Sequence, residues 1–343
     1  MKKANTLFLI LIIGSLLLIM GCGGSESDKS GGADASAGEK GIQEQTIKLA
    51  HVVNEKDGFH IAAMKFEELV EERSEGKIDI ELYPNATLGD ERTLLEGMQM
   101  GTVDMGVITN GPIVNFIEDI GVFELPFLFA SPEEAYEVLD GPIGQEILTK
   151  LEDVNMKGLA YAERGFRNLT NSKKTVNTPA DVDGLKVRVM ENPVYIDTFK
   201  ALGANAVPMA WTEALTALQQ GTIDGQENPV NVIYSFKLYE TQDFLSMTRH
   251  TYAPAVFVMS LDKFNKLSPE AQKIFKEAAQ EAAEFERKAN AESEEEQMAK
   301  LRENGMEIVQ PDIRQFQDTV APVYEKYGKQ YGEYIERIRE QLQ

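Results

Sequence analysis

Arg188 is the residue whose chemistry points furthest in this chain. A guanidinium presents a planar fork that matches the two oxygens of a carboxylate through paired charge-assisted hydrogen bonds, which a lysine point charge does not reproduce. Arg188 lies in a predicted strand, residues 184–190, where Leu185, Val187 and Val189 share one face and Lys186, Arg188 and Met190 the other. Asn228 follows a second predicted strand, residues 222–226, and its amide offers a donor and an acceptor to a ligand with hydroxyls beside its carboxylate. Trp211, the only tryptophan, would either cover the apolar C–H face of a sugar ring or anchor its own helix in the core. His51 and Asn110 end two earlier strands, where each would give a hydrogen bond to a hydroxyl or serve the fold.

Catalysis finds little support in the same residues. His51, His60 and His250 show no metal-ligand spacing, and there is no nucleophile elbow or phosphate loop. No cofactor and no metal are implied. A lyase or hydrolase acting on an acidic sugar stays as the competing class, because carboxylates and histidines perform such chemistry.

The elements that must position these side chains repeat. Residues 184–229 read as strand, helix, strand, helix, strand, with Pro193 opening the first helix, and Gly203 and Gly221 closing the two. Trp211, Ala214, Leu215 and Leu218 give the second helix its apolar stripe. Residues 46–108 follow the same order, and Gly101-Thr102-Val103-Asp104 matches Gly221-Thr222-Ile223-Asp224 at the same point in each unit. Two βαβαβ lobes with a cleft between them are predicted, since the unit occurs only twice and at a long period. In open α/β sheets the strand ends face the ligand crevice.

Between the lobes, residues 123–129 (Phe-Glu-Leu-Pro-Phe-Leu-Phe) read as a buried connection. Ser131-Pro132-Glu133-Glu134 starts a helix, and Ser268-Pro269-Glu270 starts another with no breaker until Gly305. That second helix is long enough to lie across both lobes, with a kink or break expected in its Glu-rich middle, residues 292–296.

The N-terminus predicts export. Lys2 and Lys3 precede an apolar run, residues 7–20, that suits a signal core and is too short to span a bilayer. The run ends in Leu18-Ile19-Met20-Gly21-Cys22, which resembles the lipobox of bacterial lipoproteins, so residues 1–21 are predicted to be removed and Cys22 acylated. With the single cysteine committed to lipid, no internal disulfide can form. Residues 22–45 are a predicted flexible tether, rich in Gly, Ser, Ala and Asp. The net charge of −22 lacks the basic footprint of a nucleic-acid binder, and a few local cations in a cleft still suffice for an anionic ligand.

A longer set of ordered motifs carries a family resemblance. Gly165-Phe166-Arg167-Asn168-Leu169-Thr170-Asn171-Ser172, Thr178-Pro179-Ala180-Asp181, Gly184-Leu185-Lys186-Val187-Arg188-Val189 and Gly225-Gln226-Glu227-Asn228-Pro229 together resemble the DctP family. These are the extracytoplasmic solute-binding proteins of tripartite ATP-independent periplasmic (TRAP) transporters. The resemblance implies an α/β, two-lobed, periplasmic-binding-protein-like clamp with crossing hinge strands and a long helix spanning both lobes. It implies capture of a small organic acid, with a large and a small integral-membrane permease subunit as partners, on the extracytoplasmic face of the cell membrane. It assigns Arg188 to the ligand carboxylate, Arg167 to a second contact, with Arg164 as the competing cation nearby, and Asn228 and Glu91 to the cleft.

Lobe I is expected at residues 46–164, with about 254–293 returning to it, and lobe II at residues 165–253, with about 294–343 returning. The favoured ligand is a hexuronate such as D-glucuronate or D-galacturonate, ahead of C4-dicarboxylates and other sugar acids. A sensory lipoprotein presenting its closed form to a receptor is a further reading.

Overall fold

The computed structural model describes residues 41–343, so the predicted signal segment, Cys22 and the tether up to residue 40 lie outside the described residues. The first lobe runs β1 (Gln45–Ala50), α1 (Gly58–Arg73), β2 (Ile78–Tyr83), α2 (Glu91–Met100) and β3 (Met105–Thr109). β1 lies at its centre, parallel to both β2 and β3. A short helix α3 (Asn110–Ile113), a 3-10 segment (Glu118–Glu124), α4 (Pro132–Asp140) and α5 (Pro142–Thr149) lead to the long strand β4 (Met156–Asn171). The second lobe repeats the first: β5 (Lys186–Val189), α6 (Pro193–Ala201), β6 (Asn205–Pro208), α7 (Trp211–Gln219) and β7 (Gly225–Asn228), with β5 parallel to β6 and β7. The chain continues through α8 (Val230–Ser235), the long strand β8 (Phe244–Ser260), α9 (Leu261–Lys266), α10 (Pro269–Glu303), β9 (Glu307–Val309), α11 (Ile313–Thr319) and α12 (Ala321–Gln341).

One sheet joins the lobes in the order β2-β1-β3-β8-β4-β7-β5-β6, with β9 beside β8. β3 pairs antiparallel with β8, β7 antiparallel with β4, and β4 with β8 along their length. The two long strands are therefore the connection between two three-stranded parallel units. The predicted repeat extends to side-chain bonding. Gly101 and Gly221 both take left-handed φ, 74° and 64°, which closes each helix without a Cβ penalty. Asp104 Oδ2 accepts from Lys48 N at 2.9 Å and Asp224 Oδ2 accepts from Lys186 N at 2.9 Å. Each aspartate thus ties the arriving third strand to the central one, which explains why Gly-Thr-β-branched-Asp recurs at that point in each lobe.

The register of β4 against β8 shifts between Glu163 and Gly165, opposite Pro254 and Ala253. Gly165 has φ 103° there, and a proline has no N–H to give the ladder. The lobes touch directly across the cleft. Asn192 Nδ2 donates to Gly111 O at 3.0 Å, Asn115 Nδ2 to Glu191 O at 2.9 Å and Asn54 Nδ2 to Ser235 O at 3.2 Å. This is a closed clamp.

Two expectations need correction. α10 is one helix of 35 residues with no break at residues 292–296. Glu292, Glu294, Glu295 and Glu296 are exposed, so their repulsion is screened by water, and glutamate is itself a good helix former. The segment after residue 294 does not simply return to lobe II. β9 pairs with β8 beside that lobe, but α12 straddles both. Lys326 and Tyr327 reach Asp197 of α6, the latter at 2.7 Å, while Tyr334 donates to Glu146 at 2.8 Å and Arg337 to Glu146 at 2.7 Å on α5. The tyrosines on one face of α12 explain this, since each has an apolar ring to bury and a hydroxyl that finds a polar partner.

Candidate functional site

The cleft lies where the ends of β1 and β3 and the start of α2 meet the ends of β5 and β6 and the start of α7. Val52, Glu91, Pro112, Arg188, Met190, Met209 and Trp211 bound it, and the space left is ≈ 20 Å³. That holds about one water and no sugar acid, so the lobes must part to admit a ligand. A larger cavity of ≈ 330 Å³ sits at the hinge between α4, α8 and α10 and shares no residue with this cleft.

Arg188 is brought into the cleft from β5 by the alternation that buries Val187 and Val189 in the core. It is 4% exposed, and its Nε and Nη2 donate to Met209 O at 3.0 and 2.8 Å. Its guanidinium carbon sits 5.5 Å from the Trp211 ring centroid. Among the described residues it forms no ion pair. Burial pulls its pKa down to about 10; Glu227 and Glu91 oppose this and Arg167 adds to it. A buried cation held only by a carbonyl and an aromatic face keeps an uncompensated charge and unused donors.

Glu91, the first residue of α2, faces Arg188 from the other lobe. The helix is capped by Asp90, whose carboxylate accepts from Thr93 N at 2.8 Å. Glu91 accepts from Thr109 N at 2.7 Å. Burial raises its pKa, against the bond from Thr109 and the charges of Arg164 and Arg188. Met190 follows Arg188 around the strand end, and its methyl packs so closely on Gly111 that an added Cβ there would meet it at 2.7 Å. Trp211 begins α7 and is 8% exposed. One neighbour of its ring is Arg188 and another is Phe236, edge-on at 5.1 Å, while its Nε1 has no partner. The indole supports Arg188 as much as it lines the cleft.

Four of the sequence-predicted residues lie away from this space. Arg167, expected as a second ligand contact, is 1% exposed and bound to Glu227. Its Nε donates to Glu227 Oε2, and its Nη2 to Glu227 Oε1 at 2.9 Å and to Glu227 O at 2.6 Å. Burial acts to lower its pKa, but Glu227 outweighs it and the net shift is upward. Asn228 is 3% exposed and donates to Gln226 Oε1 at 2.6 Å. His51 is fully buried with Nε2 3.1 Å from His60 Nδ1 and Nδ1 unpartnered. Burial, then His60 and Arg164, push its pKa down to about 3, so it is a neutral hydrogen-bonding group. Asn110 turns its amide inward, to Ile120 O at 3.2 Å and Glu124 Oε1 at 2.6 Å. Arg164, the other arginine on β4, is bound to Asp57 at 2.6 Å and lies 4.1 Å from the Phe59 ring centroid.

Sequence reasoning missed Glu227, His250 and Glu124. Glu227 accepts from Arg167 and lies 3.2 Å from His250 Nε2, whose Nδ1 is 2.8 Å from Thr248 Oγ1. Burial would raise the Glu227 pKa, but Arg167 and His250 hold it below 4.5. Burial lowers that of His250, against Glu227. The available signal was a glutamate inside Gln-Glu-Asn-Pro, one residue from the asparagine that drew attention.

The sequence profile of DctP, the bacterial extracellular solute-binding protein family 7, matches residues 49–330. The chain is 38% identical over 278 residues to the 2,3-diketo-L-gulonate-binding periplasmic protein YiaO of Escherichia coli, covering 81% of this chain and 85% of that one. It is similar in structure to a TRAP periplasmic solute-binding protein from a Polaromonas species bound to D-erythronate, with a TM-score of 0.84, 39% identity and coverage of 86% and 98%. It is also similar to one from Pseudomonas putida with bound D-glucuronate, with a TM-score of 0.83, 33% identity and coverage of 86% and 97%.

Proposed function

We propose, from the premise that this chain belongs to the family 7 extracellular solute-binding proteins of TRAP transporters, that it captures a sugar acid between its two lobes and delivers it for uptake. Proteins of this family are transport solute-binding proteins, not enzymes, and they work extracytoplasmically with membrane permease subunits. The carrying observation is Arg188. It is buried, without an ion pair among the described residues, and enclosed by groups from both lobes. A carboxylate arriving there would give the fork its missing partner and replace the water lost on closure. Because the ligand would touch both lobes, it would stabilise the closed form by contacts that the open form lacks.

Within the class, a hydroxylated monocarboxylate is favoured over a dicarboxylate. Only Arg188 is an unpaired cation at this cleft, and Glu91 would accept from hydroxyls but oppose a second carboxylate. A hexuronate is the first ligand of choice. An open-chain aldonate is the second, because the Trp211 ring already carries Arg188 and Phe236, leaving less of it for a pyranose face. In this reading the lobes divide at the β4 and β8 irregularities near residues 163–165 and 253–254, Arg167 positions the second lobe and offers at most its Nη1 to ligand, and Cys22 carries the lipid that holds the protein at the membrane.

The test is a thermal-shift screen of the full chain against D-glucuronate, D-galacturonate, D-galactonate, D-erythronate, succinate and galactose. A ligand that binds only the folded state raises the melting temperature, by mass action. A rise with sugar acids alone supports the proposal. A rise with succinate alone discards the substrate but keeps the clamp, and no rise with any acid overturns the substrate class.

A further inference from the structure

Gly111 stands where its backbone does not ask for a glycine. It is the second residue of α3 in the first lobe, it is buried, and its φ is not left-handed. What excludes a side chain there is the other lobe. Outside its own helical turn, the three atoms nearest to an added Cβ all belong to Met190 of the second lobe: Cε at 2.7 Å, Sδ at 3.0 Å and Cβ at 3.7 Å. At 2.7 Å something must shift. Met190 bounds the ligand cleft, whose remaining space is ≈ 20 Å³, so its methyl has little room to give way on that side.

The Gly111 carbonyl is also taken by the second lobe. Asn192 is 0% exposed and donates from Nδ2 to Gly111 O at 3.0 Å. Its amide is not free to turn, because Oδ1 caps α6 by accepting from Val194 N at 2.8 Å. The cap thereby aims the donor at the first lobe. Of the cross-cleft bonds made by Asn192, Asn115 and Asn54, that of Asn192 is the buried one. Arg188, Met190 and Asn192 follow one another at two-residue spacing from β5 onward, so the proposed carboxylate grip and both contacts with Gly111 stand on one short piece of chain.

We propose that Gly111 and Asn192 are positioning residues that latch the clamp: Gly111 lets the second lobe seat against it, Asn192 fastens to its carbonyl, and the pair sets how tightly a ligand is held without touching it. This rests on the clamp reading above. When the lobes part, Asn192 Nδ2 and Gly111 O turn to water and a side chain at position 111 no longer meets Met190, so both residues act on the closed form alone. The affinity of a ligand that binds by closing the lobes includes the free energy of closure, so the contribution of the latch appears in Kd.

The experiment is calorimetry of the full chain with D-glucuronate, or D-galactonate if that is the one that shifts its melting. Asn192→Ser keeps a capping oxygen for Val194 N but does not reach Gly111, whereas Asn192→Ala loses cap and latch together. Kd should rise about twofold to tenfold in both. The melting temperature of the ligand-free chain should fall in Asn192→Ala and stay near the parent in Asn192→Ser. A parental Kd in Asn192→Ser overturns the latch and leaves Asn192 a cap. Gly111→Ala should raise Kd about fivefold or more in the parent, and by less when added to Met190→Ala, because the clash is with that side chain. Equal penalties in the two backgrounds remove Gly111 from its role. If none of the sugar acids binds, the substrate reading fails, and the latch is decided on ligand-free protein from the distance between spin labels on the two lobes. There Asn192→Ser must lower the closed fraction; an unchanged distribution sinks the inference.

Discussion

Two buried arginines, Arg167 on β4 and Arg188 on β5, whose strands flank β7, are treated in opposite ways. Arg167 is enclosed by a carboxylate that binds it in two places, by that residue's carbonyl and by the Tyr195 ring at 5.6 Å. Arg188 has a carbonyl and an indole but no anion. The first is a finished structural unit whose charge is neutralised within the fold. The second carries a desolvation cost that the described fold leaves uncompensated. In the proposed function a desolvated guanidinium without a counter-ion is the binding residue and one with a bidentate partner the brace, even though both stand in the same run of family motifs.

The largest expected effect breaks the brace. Glu227→Ala leaves Arg167 charged, buried and alone, and should lower unfolding free energy by about 3–5 kcal/mol in urea melts. No loss from Arg188→Met in the same melts would support the contrast from the other side; removing an unpaired buried cation should leave ligand-free stability unchanged or slightly higher. A loss as large as that of Glu227→Ala would erase the distinction.

Binding comes next. Arg188→Lys keeps the charge but not the fork and should weaken the best sugar acid by about tenfold to a hundredfold, since charge-assisted bonds contribute about 1.5–3 kcal/mol each. Retention of affinity within twofold would remove Arg188 from its role.

The contrast also has a pH signature. Glu227 is held below its ordinary 4.5, so its contribution to stability is complete above that value and is lost as pH falls through the lower folded value. Acid unfolding of the parent should therefore steepen below about 4.5, where Glu227→Gln, with no such proton to take up, should be flatter. Coincident acid slopes for the two would count against the pairing. The smallest effect is at the aromatic support: Trp211→Phe should weaken binding by about twofold to fivefold, with thermal stability near that of the parent.

Much of this architecture was legible because it is local. Gly101 and Gly221 close helices through their own φ, and Asp104 and Asp224 act on strands of their own units, so a short string carries the whole instruction. Arg188 was legible for the same reason, as strand alternation fixes its side. The Arg167 brace was not, because its partner lies 60 residues away and His250 a further 23 beyond that. Only the placing of β4 between β7 and β8 brings them together. Glu124 was hidden by its setting: an acid among phenylalanines and a proline reads as a connection, and its bond to Asn110 depends on how α3 turns. The kink expected in α10 failed because charge density was weighed without asking which face it occupied.

The chain has a single tryptophan, and it stands beside Arg188, the buried cation that lacks an anion among the described residues. The indole emission of the whole molecule therefore originates at one wall of the cleft between the lobes. Arrival of a carboxylate at Arg188, or a change in water beside the unpartnered Trp211 Nε1, alters the electric field across that ring. The protein thus contains its own optical reporter, and mixing unlabelled chain with an acid in a stopped-flow cell would resolve the order of capture and closure.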